Sequence, residues 1–130
     1  IVENYEAMRF RPAAAETRAL WAAGNEYLTR AEPWTHFKTD RDKAAIGVRT
    51  ALNLAALMAI AAQPVIPNAA KTILDCLGIP DTNRNWPDEA AADLLDVLPR
   101  GLAVTPPDVL FAKVDDDQVA DWTARFGGEG

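Results

Sequence analysis

The stretch YLTRAEPWTHFKTD, Tyr27 to Asp40, sets a Pro-Trp pair directly behind helix-forming residues. A proline pushes the residue before it out of the helical region, so a helix reaching Ala31 or Glu32 has to stop there. Upstream, Phe10, Ala14, Leu20, Trp21, Gly24, Tyr27, Leu28 and Ala31 recur at steps of three and four, one apolar stripe of a long helix. Pro12 suits its first turn. Arg11, Glu16, Arg18, Glu26 and Arg30 fall largely off that stripe. Val2 to Met8 reads as a separate helical turn or as the tail of an earlier helix. After the break THFKTD is polar, so Trp34 is open to two readings: an exposed contact, or a ring that covers the core at the bundle's end.

Downstream, Asp40 or Asp42 can cap a second helix that runs to about Ala62 and ends before Pro64. Its apolar residues, among them Ile46, Val48, Leu52, Leu57 and Ile60, surround the axis, the pattern of a central buried helix. A third helix spans about Pro67 to Leu77 and stops at Gly78 and Pro80. A fourth is expected from Pro87, with Asp88 and Glu89 in its first turn and Leu94, Leu95 and Leu98 inward. PRGLAVTPP is a linker and VLFAKV is extended in character. In DDDQVADWTARFGG, Asp115 caps a last helix, Gln118 stands at the capping-box position, and Val119, Trp122 and Phe126 share one face. The fold class is all-α: an antiparallel helical bundle over residues 1–100, with an extended tail ending in a short helix over 101–130.

A length of 130 residues fits one domain, and the apolar share of 49% is that of an ordinary globular domain. No uninterrupted apolar run reaches the roughly 18 residues of a membrane span. No leader for export is evident, and the start at Ile1 suggests a piece of a longer protein. One cysteine, Cys76, allows no internal disulfide and suits a reducing, cytoplasmic setting. The net charge is −6, but residues 1–50 hold eight basic and seven acidic side chains against five and twelve in 51–130. Only the first part suits a polyanion.

Catalytic constellations are missing. There is no phosphate loop, and Cys76 and His36 read as a small buried hydrophobe and a solvated loop residue. Asp115 to Asp117 read as cap and first-turn charge rather than as a metal cluster. Trp21 and Trp122 lie on helix stripes, hence in the core, and Trp86 suits a hydrophobic staple.

Three stretches together carry a resemblance. FRPAAAETRALWAAGNEYLTRAEPWTHFKTD is similar to the anticodon-binding domain of methionyl-tRNA synthetases, through Phe10-Arg11, Asn25-Glu26-Tyr27 and Glu32-Pro33-Trp34 in order and spacing. ALNLAALMAIAAQPVIPNAAKTILDCLG resembles that family's next two helices, and PPDVLFAKVDDDQV its tail. The resemblance covers nearly the whole chain. It implies that Trp34 packs on an anticodon base, that Pro33 sets the turn presenting it, and that Asn25 shares the site. Arg11, Arg30, Lys38, Arg41 and Lys43 become candidate phosphate contacts near Trp34. The implied partners are the tRNA for methionine and the catalytic domain of the same ATP-dependent ligase, which would handle ATP with magnesium; no membrane is implied. The family's HIGH-type and KMSKS-type motifs do not occur here, nor does the earlier bundle helix whose Asn and Arg also read the anticodon. The chain itself is therefore expected to carry no catalytic residue. The rival readings are the corresponding bundle of another class I synthetase and a helical protein-interaction module.

Overall fold

A computed structural model describes residues 1–87 and 96–127. They form α1 (Val2–Glu6), α2 (Phe10–Ala31), α3 (Pro33–His36), α4 (Arg41–Ala62), α5 (Pro67–Cys76) and α6 (Asp116–Phe126), with a 3-10 turn at Asp81–Asn83 and no strand among the described residues. α4 is the hub, packing against α2, α3 and α5. The helix expected from Pro87 falls mainly on residues 88–95, outside the described ones.

Local chemistry sets the ends. Asp40 is the cap of α4, its side chain accepting from the Lys43 N–H at 3.0 Å, while Asp42 sits in the first turn. α5 closes in a Schellman motif: the Ile79 N–H donates to the Leu74 carbonyl, the Gly78 N–H to that of Asp75, and Gly78 takes a φ of 65°. Asp115 and Gln118 form the expected capping box at the start of α6. α2 begins at Phe10, two residues before Pro12, which still falls in the first turn.

The core is made mostly of small side chains. α2 buries Ala13, Thr17 and Gly24, and α4 buries Ala44, Gly47, Asn53, Ala56, Ala59, Ala61 and Ala62. These let the two helices approach closely: a Cβ on Gly24 would meet the Met58 sulfur at 3.0 Å. The apolar stripe of α2 holds from Leu20 onward. In its first half the inward positions are Ala13 and Thr17, whereas Phe10 and Ala14 are exposed. α4 is also less enclosed than its composition suggests. Ile46 and Val48 are exposed, and Leu52, Leu57 and Ile60 are half-buried. By length and composition α4 could cross a membrane; here it packs against three helices. Among the described residues Leu74 and Asn53 are the largest fully buried side chains. Leu74 belongs to a cluster with Ala56, Ala59, Ala70, Leu77, Ile79 and Leu98, against which Leu102 and Val104 pack.

Asn53 attaches the chain beyond residue 95 to this hub. Its Oδ1 accepts from the Leu98 N–H at 2.9 Å, and its Nδ2 donates to the Arg49 carbonyl. Arg49 Nη2 donates to the Leu98 carbonyl at 2.8 Å. Both polar groups of the Leu98 backbone are thus held by α4, which fixes where residues 98–102 run.

Three expectations need correction. Trp122 is not in the core: it is 47% exposed, and α6 buries no residue. An amphipathic face shows that a helix can take a partner, and none of the described elements covers this one. The Trp86 ring meets Tyr5 of α1 edge-on, with centroids 6.1 Å apart, and the residues a staple would reach lie outside the described ones. Cys76 and His36 are both half-buried, and His36 is part of α3 rather than of a solvated loop.

Candidate functional site

The Pro-Trp break is built on an unusual residue. Glu32 lies in the left-handed region, with φ 38° and ψ 53°. A residue with a Cβ pays for that conformation in steric strain, of order 1–3 kcal/mol. Pro33 excludes the ordinary helical alternative at Glu32. The chain turns within one residue and restarts as α3, with Pro33 as its first residue.

Pro33 is buried. It packs on Gly47 of α4, where an added Cβ would stand 3.5 Å from the Pro33 Cβ and 3.6 Å from that of Ala31. Trp34, the next residue, is 59% exposed. The proline is the foot and the tryptophan is what it holds out. Of the two readings of Trp34, the geometry selects the exposed one. Trp21 is half-buried, its Nε1 donating to the Met58 carbonyl at 3.4 Å.

Trp34 lines the rim of a groove of about 1090 Å³ between α3, the first three turns of α4 and residues 98–102. Phe37, one turn after Trp34 and 57% exposed, lines it too. The Arg41 guanidinium lies over the Phe37 ring, 5.1 Å from its centroid. Arg49 and Arg100 complete three cations against one lining carboxylate, Asp42. Arg49 is also paired with Asp96. Ile46, Val48 and Leu52 form the apolar wall. The groove offers flat π surfaces, apolar area and positive charge, which suits an unstacked base with its phosphate.

The remaining candidates are dispersed. Asn25 is exposed on α2 but does not line the groove, and its carbonyl accepts from the Thr29 hydroxyl. Arg30 is paired with Glu26 at 3.4 Å. Lys38 and Lys43 are exposed outside the lining. Arg11 is misplaced as a neighbour of Trp34: it sits in the first turn of α2 and Trp34 follows the last, about 30 Å away at 1.5 Å per residue. Of the five basic candidates only Arg41 lines the groove. Phe37, Arg49 and Arg100 were missed. Phe37 carried a usable signal, an aromatic three residues after Trp34 on a helical turn. Arg49 shares the α4 face of Arg41 through Ala45 and Val48. Arg100 carried none, because Leu98 brings it in from a distant stretch.

One carboxylate is held below its usual range without lining the groove: Asp75 is lowered by hydrogen bonds from Lys71 and Arg84. Among the described residues no three His, Cys, Asp or Glu side chains are grouped to hold a metal ion.

A family model for the anticodon binding domain of methionyl tRNA ligase matches residues 1–130. The chain is 65% identical to the methionine–tRNA ligase of Maricaulis maris over 129 residues, 98% of this chain and 23% of that protein. It is 63% identical to the enzyme of the same name from Hyphomonas neptunium over 132 residues, with the same coverage. With that of Caulobacter vibrioides it shares 52% over 128 residues, 98% of the chain and 22% of the relative. The chain thus spans under a quarter of the length of these curated relatives. No solved structure matches it.

Proposed function

The chain belongs to the family of anticodon-binding domains of methionyl tRNA ligase, and on that premise we propose that it reads the anticodon of the tRNA for methionine by stacking a base on Trp34. The observation that carries this reading is the contrast inside one dipeptide: Pro33 buried on Gly47, Trp34 59% exposed beside a groove with three arginines. RNA loops are read by splaying bases onto aromatic faces, and each stack contributes about 1–3 kcal/mol. A reader of this kind works at a net charge of −6 because the positive charge is needed only locally.

In this proposal the rest of the enzyme activates methionine with ATP and magnesium in the cytoplasm, and this domain selects the tRNA. Pro33 presents the ring; Asn25 and Arg30, at the same end of α2, flank the approach. α6, with Val119, Trp122 and Phe126 exposed, docks on the catalytic domain rather than on RNA, since Asp116 and Asp117 in its first turn repel phosphate.

The test is Trp34→Ala in the complete ligase. Aminoacylation efficiency should fall about ten- to hundredfold, the value of one stack, while amino-acid-dependent pyrophosphate exchange stays at the parent rate. Equal loss in both assays, or no loss in aminoacylation, would remove Trp34 from the recognition site.

A further inference from the structure

The groove holds a second aromatic surface that a single stacked base leaves unused. Trp34 and Phe37 stand three residues apart, and Phe37 continues the helical backbone of α3 with φ −54° and ψ −32°. Residues at that spacing are neighbours on one helix face, with Cβ atoms about 5–6 Å apart. Both line the same groove and both are more than half exposed. A large exposed phenyl ring in water is unfavourable unless something covers it. Arg41 lies over the ring, yet 57% of Phe37 stays open. Arg100, exposed, lines the same groove and adds positive charge to it.

We propose that Phe37, backed by the Arg41 guanidinium, is a second stacking face that takes the nucleotide next to the one on Trp34, with Arg100 facing its phosphate. This rests on the reading of Trp34 given above and extends it from one base to two. Charge decides the class of occupant: with Arg49 held by Asp96 and the Leu98 carbonyl, an apolar protein segment would use Ile46 and Val48 but would gain nothing from Arg41 and Arg100, whereas a nucleotide uses the ring, the apolar wall and these two cations together. A guanidinium on an aromatic ring also adapts to stacking, since its plane can lie on a base or on the phenyl.

The experiment measures binding of anticodon stem-loop RNA to the complete ligase and its variants by fluorescence anisotropy. Phe37→Ala should weaken binding about tenfold, Phe37→Trp should restore it, and Phe37→Leu should not. Stem-loops lacking one anticodon base at a time then locate the contact. The loss from Phe37→Ala should vanish with the RNA that lacks the base on Phe37 and persist with the RNA that lacks the base on Trp34, because only groups in contact are coupled. If Trp34→Ala weakens binding but Phe37→Ala does not, the second face is refuted and the first stands. If neither does, both fall. Phe37→Leu binding as well as the parent would also refute stacking, and would assign Phe37 to apolar packing against protein. That variant keeps the apolar bulk, so the comparison survives even where alanine disturbs α3.

Discussion

The two halves of α4 treat apolar side chains in opposite ways. Toward its C-terminus, Ala56, Ala59, Ala61 and Ala62 are buried, and α5 supplies Leu74 to close the cluster. Toward its N-terminus, Ile46 is 66% exposed and Val48 lies open beside it, next to Trp34 and Phe37. Small residues on the packed half bring helix backbones together. Larger ones on the open half keep a groove apolar without filling it. The difference separates stability from recognition: one half holds the fold and the other is available to a ligand.

The largest effect should come from the packed half. Leu74→Ala removes a side chain with no exposed surface, which costs about 2–5 kcal/mol. The urea midpoint of this domain's transition should drop accordingly, and a loss below 1 kcal/mol would mean that the cluster is not the centre of the fold. Asn53→Ala should come next. It strips the Leu98 N–H of its acceptor, and an unsatisfied buried group costs about 1–3 kcal/mol. This variant bridges the two halves, because Leu98 positions the wall that carries Arg100. It should therefore also weaken RNA binding at temperatures where the domain is folded. Loss of stability with unchanged binding would uncouple the wall from the groove.

A smaller effect is expected from acid. Asp75 is lowered by its hydrogen bonds with Lys71, then Arg84. A carboxyl whose pKa is depressed in the folded state contributes stability above its ordinary value of 3.8, and that contribution is lost as pH falls through the lower folded value. Asp75→Asn should thus flatten the acid side of the stability profile below about pH 4 and leave RNA binding at neutral pH untouched; an unchanged acid slope would contradict the assignment. The smallest effect on stability should come from Trp34→Ala, within about 0.5 kcal/mol, as for surface positions without a structural role. A drop of several degrees in melting temperature would place Trp34 on the side of the fold instead.

Legibility in the sequence followed the range of the interaction. The Asp115–Gln118 capping box and the Gly78 stop join groups a few residues apart, so spacing alone revealed them, while it narrowed the α4 cap to Asp40 or Asp42 and the structure chose Asp40. The Pro33 break was equally local, and it located Trp34. Ala13 and Thr17 escaped notice because close helix approach selects small side chains, the reverse of what a search for hydrophobic stripes rewards. Trp122 was misjudged because its stripe is real while the surface it would meet is not among the described residues. Arg100 was invisible: its place depends on Asn53 reaching Leu98 across 45 residues. Arg11 erred in the opposite sense, since a sequence motif joined it to Trp34 although α2 holds the two apart.

The account's central claim is that Trp34 meets RNA while the other described tryptophans do not. Fluorine NMR of the complete ligase carrying 5-fluorotryptophan tests it directly, with the Trp34 signal assigned by its absence in Trp34→Phe. The free enzyme should show a solvent-isotope shift at Trp34 typical of an exposed ring. Anticodon stem-loop RNA should abolish that shift and move the Trp34 resonance, leaving those of Trp21, Trp86 and Trp122 in place. A Trp34 signal that ignores saturating RNA, or RNA-induced changes confined to Trp21 or Trp122, would contradict it.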